Sequence, residues 1–302
     1  MNRTFPILKI IFMVHLTFLC MSQNQSRAET VKAMETPYVT VMYEPGAVQG
    51  AENTAKIYPE IKTKTEKLFG RTYDQKPVIV LIHNRQRFMQ MAGHAITVAY
   101  AVPAKNLIVI DYSIVAARPF SLETTLTHEF CHLLLHHHIP DIPRWLDEGL
   151  CQWASGGIDE IIYNRKQAVL NRASVTGNFI PFANLHSDFP VSETARILAY
   201  EQSKNFVTFM AKQFGEEKLL DFLDRMAAGN TAAKAFYKVY QTEIEQMEST
   251  WRNSISKDYN WFTYISNHLY ELLFVSAALL TIIGFLKLVR KKQLYKDEDI
   301  DE

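Results

Sequence analysis

Apolar residues along the chain change their spacing near residue 120. Before that point they come in short runs of strand length. Residues 38–43 are β-prone and close on Glu44-Pro45-Gly46, a turn signal, and residues 77–83 form an unbroken apolar run of the kind found in strands covered on both faces. Two more strand candidates, residues 96–101 and 107–110, flank the turn Pro103-Ala104-Lys105-Asn106. Helical spacing predicts a helix over residues 47–69, stopped by Gly70, and a short one over 85–91. After Phe120 the period is helical throughout. Ser121 with Glu123 opens a helix that runs to about residue 137 and is ended by Pro140 and Pro143. Further helices fit residues 144–155, 158–172, 193–213, 216–228, 231–240 and 243–255. Strands first and helices afterwards is an α+β order, not a βαβ alternation: a small mixed sheet followed by a mostly helical half. Residues 206–210 and 219–223 repeat their aromatic and aliphatic positions at helical spacing and are expected in the core.

The two ends differ in kind from this middle. Residues 1–28 carry Arg3 and Lys9, then an apolar stretch from Ile10 to Leu19, then a polar segment, the layout of a secretory signal peptide; an uncleaved anchor is the alternative. Near the other end, residues 269–289 have an uncharged centre and are followed by Arg290, Lys291 and Lys292. About 20 such residues span a bilayer, and a basic cluster at the exit is expected on the cytoplasmic side. The expected organisation is a signal peptide at 1–28, one extracytoplasmic domain at 29–267, a transmembrane helix at 268–289 and a cytoplasmic tail at 290–302. In a Gram-negative cell that domain would be periplasmic.

Composition narrows the picture only a little. The chain has 302 residues, 48% of them hydrophobic, with 32 basic and 32 acidic side chains. This excludes a disordered chain and argues against nucleic acid as a partner, since no basic excess is present. Cysteines stand at 20, 131 and 151, too few for a disulfide scaffold. Cys131 and Cys151 either form one bridge or are two small buried residues.

The chemistry is concentrated in Thr127-His128-Glu129-Phe130-Cys131-His132, an H-E-x-x-H inside a predicted helix. Positions i and i+4 share a helix face, so His128 and His132 can both reach one metal ion, while Glu129 can reach a water beside it without being a ligand. Ten histidines make this spacing attainable by chance. A catalytic zinc needs a third protein ligand and one open position. Trp145-Leu146-Asp147-Glu148-Gly149 supplies a carboxylate on the next helix, after a proline-punctuated turn that can fold it back. His136 lies one further turn along the ligand face, but three ligands in a row suit a tetrahedral ion poorly, and His136, His137 and His138 are expected to form a solvated helix end.

With these segments, and with Ala199-Tyr200-Glu201-Gln202-Ser203 on a later helix, the chain resembles the gluzincin zinc peptidases, in particular the compact peptidase-MA-like domains related to thermolysin and aminopeptidase N. The resemblance covers about residues 38–255. It implies one zinc ion held by His128, His132 and Glu148, with Glu129 as general base and Tyr200 as a hydrogen-bond donor to the oxyanion. It implies a peptide or protein substrate laid along an edge strand, either residues 96–101 or 107–110. Two departures stand out. Gluzincins often carry a carboxylate four residues after the ligand glutamate to orient a zinc histidine; Gln152 is there instead, and its amide oxygen is expected to accept the imidazole N–H. The G-x-M-E-N segment by which aminopeptidases grip a free amino terminus is missing, which favours an endopeptidase. The competing expectation is a catalytically silent binding module of the same fold on the membrane surface.

Overall fold

The computed structural model describes residues 31–92, 97–117, 120–156, 166–258 and 268–298. The expected signal peptide, the first part of the helix predicted from residue 158 and the last four residues lie outside the described residues.

A five-stranded sheet comes first. It holds β1 (Lys32–Glu35), β2 (Thr40–Tyr43), β3 (Val78–Ile82), β4 (Ala99–Val102) and β5 (Leu107–Asp111) in the order β1-β2-β3-β5-β4. The central pairs β2–β3 and β3–β5 are parallel, and the outer pairs are antiparallel. Every residue of β3 is buried, as its unbroken apolar run requires. β1, with the sequence Lys-Ala-Met-Glu, has no strand signature and is a short polar edge of the sort that sheets use to blunt their rims.

α1 (Val48–Phe69) runs between β2 and β3 and makes the parallel crossover possible. One βαβ unit therefore sits inside the α+β order, which the strands-first reading leaves out. The buried face of α1 is a stripe of Ala51, Thr54, Tyr58, Ile61, Thr65 and Phe69 at three- and four-residue steps. Gly70 at φ 62° ends it in the left-handed region, with the Arg71 amide returning to the Glu66 carbonyl. The short helices α2 (Arg85–Ala92) and α3 (Tyr112–Val115) follow β3 and β5.

The sheet order decides between the two candidate edges. β5 lies between β3 and β4, so residues 107–110 cannot serve as an edge; β4 is the edge, and it packs against the helix that carries the H-E-x-x-H. That helix, α4 (Leu122–His138), starts at Ser121, whose hydroxyl accepts the Thr124 amide. α5 (Arg144–Ser155) doubles back on it after Pro140 and Pro143.

The helical half continues with α6 (Lys166–Thr176), α7 (Glu193–Phe214), α8 (Glu216–Ala227), α9 (Ala232–Tyr240) and α10 (Ile244–Asp258). Its centre is aromatic: Trp145, Phe182, Phe206 and Trp251 are all buried, with neighbouring ring centroids 4.6–5.5 Å apart. Phe206, Val207, Met210, Leu219, Phe222 and Leu223 are core, as their spacing predicts. A last helix, α11 (Leu269–Glu298), contains the stretch Leu269–Arg290, which is long and apolar enough to cross a membrane and is not buried against the rest of the protein.

Candidate metal centre

Two neighbouring helices and one glycine build the centre. α4 places His128 and His132 one turn apart on one face. α5 runs back alongside and brings Glu148 against both rings. Its other side packs on α7, where Gly149 allows the backbones to meet: a Cβ there would lie 2.6 Å from the Ser203 carbonyl oxygen and 2.7 Å from Val207 Cγ2. That contact draws α7, and with it Tyr200, toward the same spot.

The ligand atoms face each other. His128 Nε2 and His132 Nε2 are 3.1 Å apart, and Glu148 Oε2 lies 3.4 Å from the first and 3.7 Å from the second. Ligands at zinc–nitrogen and zinc–oxygen distances of about 2.0–2.2 Å in a tetrahedron stand about 3.3–3.6 Å from one another, so the three atoms have the spacing of three corners. Glu148 Oε2 makes no hydrogen bond although it is buried. A bare carboxylate oxygen at that depth calls for a cation.

The surrounding charges agree. Glu129, Asp147 and Glu148 are all buried around the two imidazoles, with Arg144 as the guanidinium at the rim. Burial raises the pKa of Glu129 above the usual carboxylate range, against the pull of His128 and His132. Burial would lower the basicity of His132, but the Asp147 and Glu148 carboxylates and the hydrogen bond to Asp147 outweigh it and push its pKa up to about 10. For Glu148 burial also works against the charged form, yet Arg144 and His132 hold it down to about 2. A pocket with this excess of carboxylates suits a divalent ion, and two imidazoles with one carboxylate are a donor set that zinc accepts.

Asp147 orients the second histidine. Its Oδ1 lies 2.9 Å from His132 Nδ1, and its Oδ2 lies 3.2 Å from His136 Nε2. Adjacent on α5, Asp147 and Glu148 thus take opposite nitrogens of one ring. The carboxylate beside the imidazole is therefore the residue just before Glu148, not the one four positions after it. Gln152 reaches instead to the Tyr200 carbonyl, 3.5 Å away, and both His128 Nδ1 and Gln152 Oε1 are buried without hydrogen-bond partners. The expected Gln152–imidazole bond is not made.

His136, His137 and His138 are more engaged than a solvated helix end. His137 meets Asp74 at 3.3 Å and packs edge-on to Tyr73, while His138 lies 2.8 Å from the Thr72 carbonyl. Cys131 and Cys151 are free, buried thiols. Cys151 Sγ sits 3.4 Å from His132 Nδ1, on the side of the ring away from Glu148, in a second group with His132 and Asp147. Its thiol pKa is raised, by burial first and then by Cys131.

Tyr200 completes the rim. Its phenol accepts a hydrogen bond from Arg144, and its ring stands edge-on to Phe189 with centroids 4.9 Å apart. Burial, followed by the nearby Glu148 charge, raises its pKa, so the phenol keeps its proton. Sequence patterning did not single out Arg144 or Asp147; the only signal was their place in the Arg-Trp-Leu-Asp-Glu run.

No curated protein matches the chain. Among solved structures, an M1 zinc metallopeptidase mutant from Deinococcus radiodurans is 14% identical over 74% of this chain and 51% of its own, at a TM-score of 0.48. Yeast LTA4 hydrolase in complex with bestatin is also 14% identical, over 73% of this chain and 39% of its own, at a TM-score of 0.46. This chain therefore spans about two fifths to one half of the length of these structures. Residues 63–257, which include α4, α5 and α7 entire, match the Peptidase MA superfamily, and the chain belongs to that superfamily.

Proposed function

We propose that the chain is a zinc-dependent endopeptidase, exported and anchored by its C-terminal helix, that hydrolyses peptide bonds in peptide or protein substrates. The observation that carries this reading is the spacing of His128 Nε2, His132 Nε2 and Glu148 Oε2 beside a buried Glu129. These three atoms would hold the ion. When bound, zinc supplies Lewis acidity, which acidifies a water and polarises a carbonyl.

The remaining work falls to side chains of the protein. Asp147, at His132 Nδ1, fixes the tautomer that leaves Nε2 free to bind. The buried Glu129 carboxylate takes the proton of the attacking water and passes it to the leaving nitrogen. Tyr200 keeps its phenolic proton and donates it in a hydrogen bond to the developing oxyanion. The edge strand β4, packed on α4, offers backbone groups along which an extended substrate can lie. The missing G-x-M-E-N segment supports internal cleavage over removal of single amino-terminal residues.

Glu129→Gln separates catalysis from binding. The variant is expected to retain zinc at wild-type stoichiometry and to cleave none of a peptide library that the wild type digests in a chelator-sensitive way. A variant that still cuts contradicts the role given to Glu129, whereas a wild type that binds zinc and cleaves nothing removes the enzymatic reading and leaves the binding module.

A further inference from the structure

Arg144 is the first residue of α5, directly after Pro143. A cation there opposes the helix dipole, which favours negative charge at an N-terminus, so α5 gains nothing from an arginine at this position as a helix. What the side chain touches is more informative. Its Nη2 lies 2.6 Å from Glu148 Oε1, and its Nη1 lies 3.9 Å from Asp147 Oδ2. The same guanidinium hydrogen-bonds Tyr200 and stands 6.0 Å from the centroid of Phe189, the ring that packs against Tyr200. The Arg144 backbone amide is itself fixed, 2.7 Å from the His186 carbonyl.

We propose that Arg144 is a positioning residue that restricts Glu148 to a one-oxygen grip on the metal and holds the Tyr200 phenol beside it. The inference rests on the zinc-peptidase reading above. Glu148 has two oxygens with different neighbours: Oε1 is taken by the guanidinium, and Oε2 faces the two imidazole nitrogens without a hydrogen bond. A carboxylate with both oxygens free can swing to grip an ion with two; one oxygen held by a charged donor prevents that rotation. The rigid, planar fork of the guanidinium holds Glu148 and Tyr200 in one fixed geometry, which a lysine ammonium with rotatable donors on a flexible stem does not impose. Because Arg144 donates to the Tyr200 oxygen, the phenolic proton points elsewhere and stays available. With its side chain 42% exposed, Arg144 forms the wall between this pair and solvent.

The test uses full-length protein in detergent as wild type, Arg144→Gln, Arg144→Lys and Arg225→Gln, the last removing an exposed helical ion pair with Asp221. Three readouts are needed: zinc affinity by competition with a chromogenic chelator, the number of oxygen and nitrogen neighbours by zinc X-ray absorption, and kcat and KM on a cleaved peptide. Arg144→Gln is expected to bind zinc about 10–100-fold more weakly, as for other lost partners of metal ligands, to gain one oxygen neighbour, and to lose kcat more than KM. Arg144→Lys should recover most of the affinity but not kcat, and Arg225→Gln should match the wild type. Unchanged affinity and neighbour count in Arg144→Gln overturn the proposal while leaving the zinc reading intact; a wild type that binds no zinc overturns both. Should Arg144→Gln fail to fold, Arg144→Lys decides the matter, since wild-type kcat in that variant contradicts the shared hold on Glu148 and Tyr200.

Discussion

His132 is gripped from two sides by consecutive residues of α5, and this is the finest control that the centre contains. Its Nδ1 meets Asp147 while its Nε2 faces Glu148, and Asp147 continues to His136 near the surface. A charged acceptor behind a ligand imidazole fixes the tautomer and makes the other nitrogen a better donor to metal. Asp147→Asn keeps the shape and removes the charge, so zinc affinity is expected to fall about 10–100-fold, measured by chelator competition, with the fold unchanged by circular dichroism. The H-E-x-x-H was legible in the sequence because helical spacing alone puts i and i+4 together. Asp147 was not, because which of two adjacent carboxylates faces which ring nitrogen depends on the rotation of α5 about its axis, and that is set by packing on α4 and α7.

Between elements, the decisive contact is the crossing of α5 and α7 at Gly149. Helix α5 must sit close enough to α4 for Glu148 to reach both imidazoles, and close enough to α7 for Tyr200 to reach Arg144. Only a residue without Cβ permits the second approach, given backbone at 2.6 Å from where that atom would be. Gly149→Ala is therefore expected to destabilise the protein by about 1–3 kcal/mol in denaturant unfolding, with a loss of kcat beyond any loss of zinc, because the two helices must part. Most helices could be read to within a few residues, since their apolar stripes are long. The sheet was harder. β1 is a polar edge whose strand character comes from pairing with β2 and not from its own residues, and the position of β5 inside the sheet follows from a chain crossover that local pattern does not encode.

At the level of the whole molecule, the proposed metal and the proposed membrane span would impose two separate constraints. An ion bound by the folded state and not by the unfolded chain stabilises it by about 2.7 kcal/mol when its concentration is 100 times the dissociation constant. For a domain of this size each kcal/mol moves the melting temperature by about 2–4 °C, so chelation of a zinc-loaded sample is expected to lower it by roughly 5–11 °C, and His128→Ala, which cannot close the site, should show no such shift. The second constraint is the surface of α11. Phe274, Leu280, Phe285 and Leu288 are each about two thirds or more exposed, with no face among the described residues to cover them. Water poorly tolerates a helix whose 22 residues carry charge only near the ends, at Glu271, Lys287 and Arg290, and a bilayer would accommodate it without cost to its backbone, whose hydrogen bonds are internal. The full chain should accordingly stay in the membrane pellet after an alkaline carbonate wash. A chain ended at Asp258 should move to the supernatant with the same chelator-sensitive melting shift, because among the described residues no candidate ligand or ligand partner of the centre lies beyond that residue. Recovery of the full chain in the carbonate supernatant would contradict the span, and loss of the shift in the shortened chain would contradict the independence of the two halves.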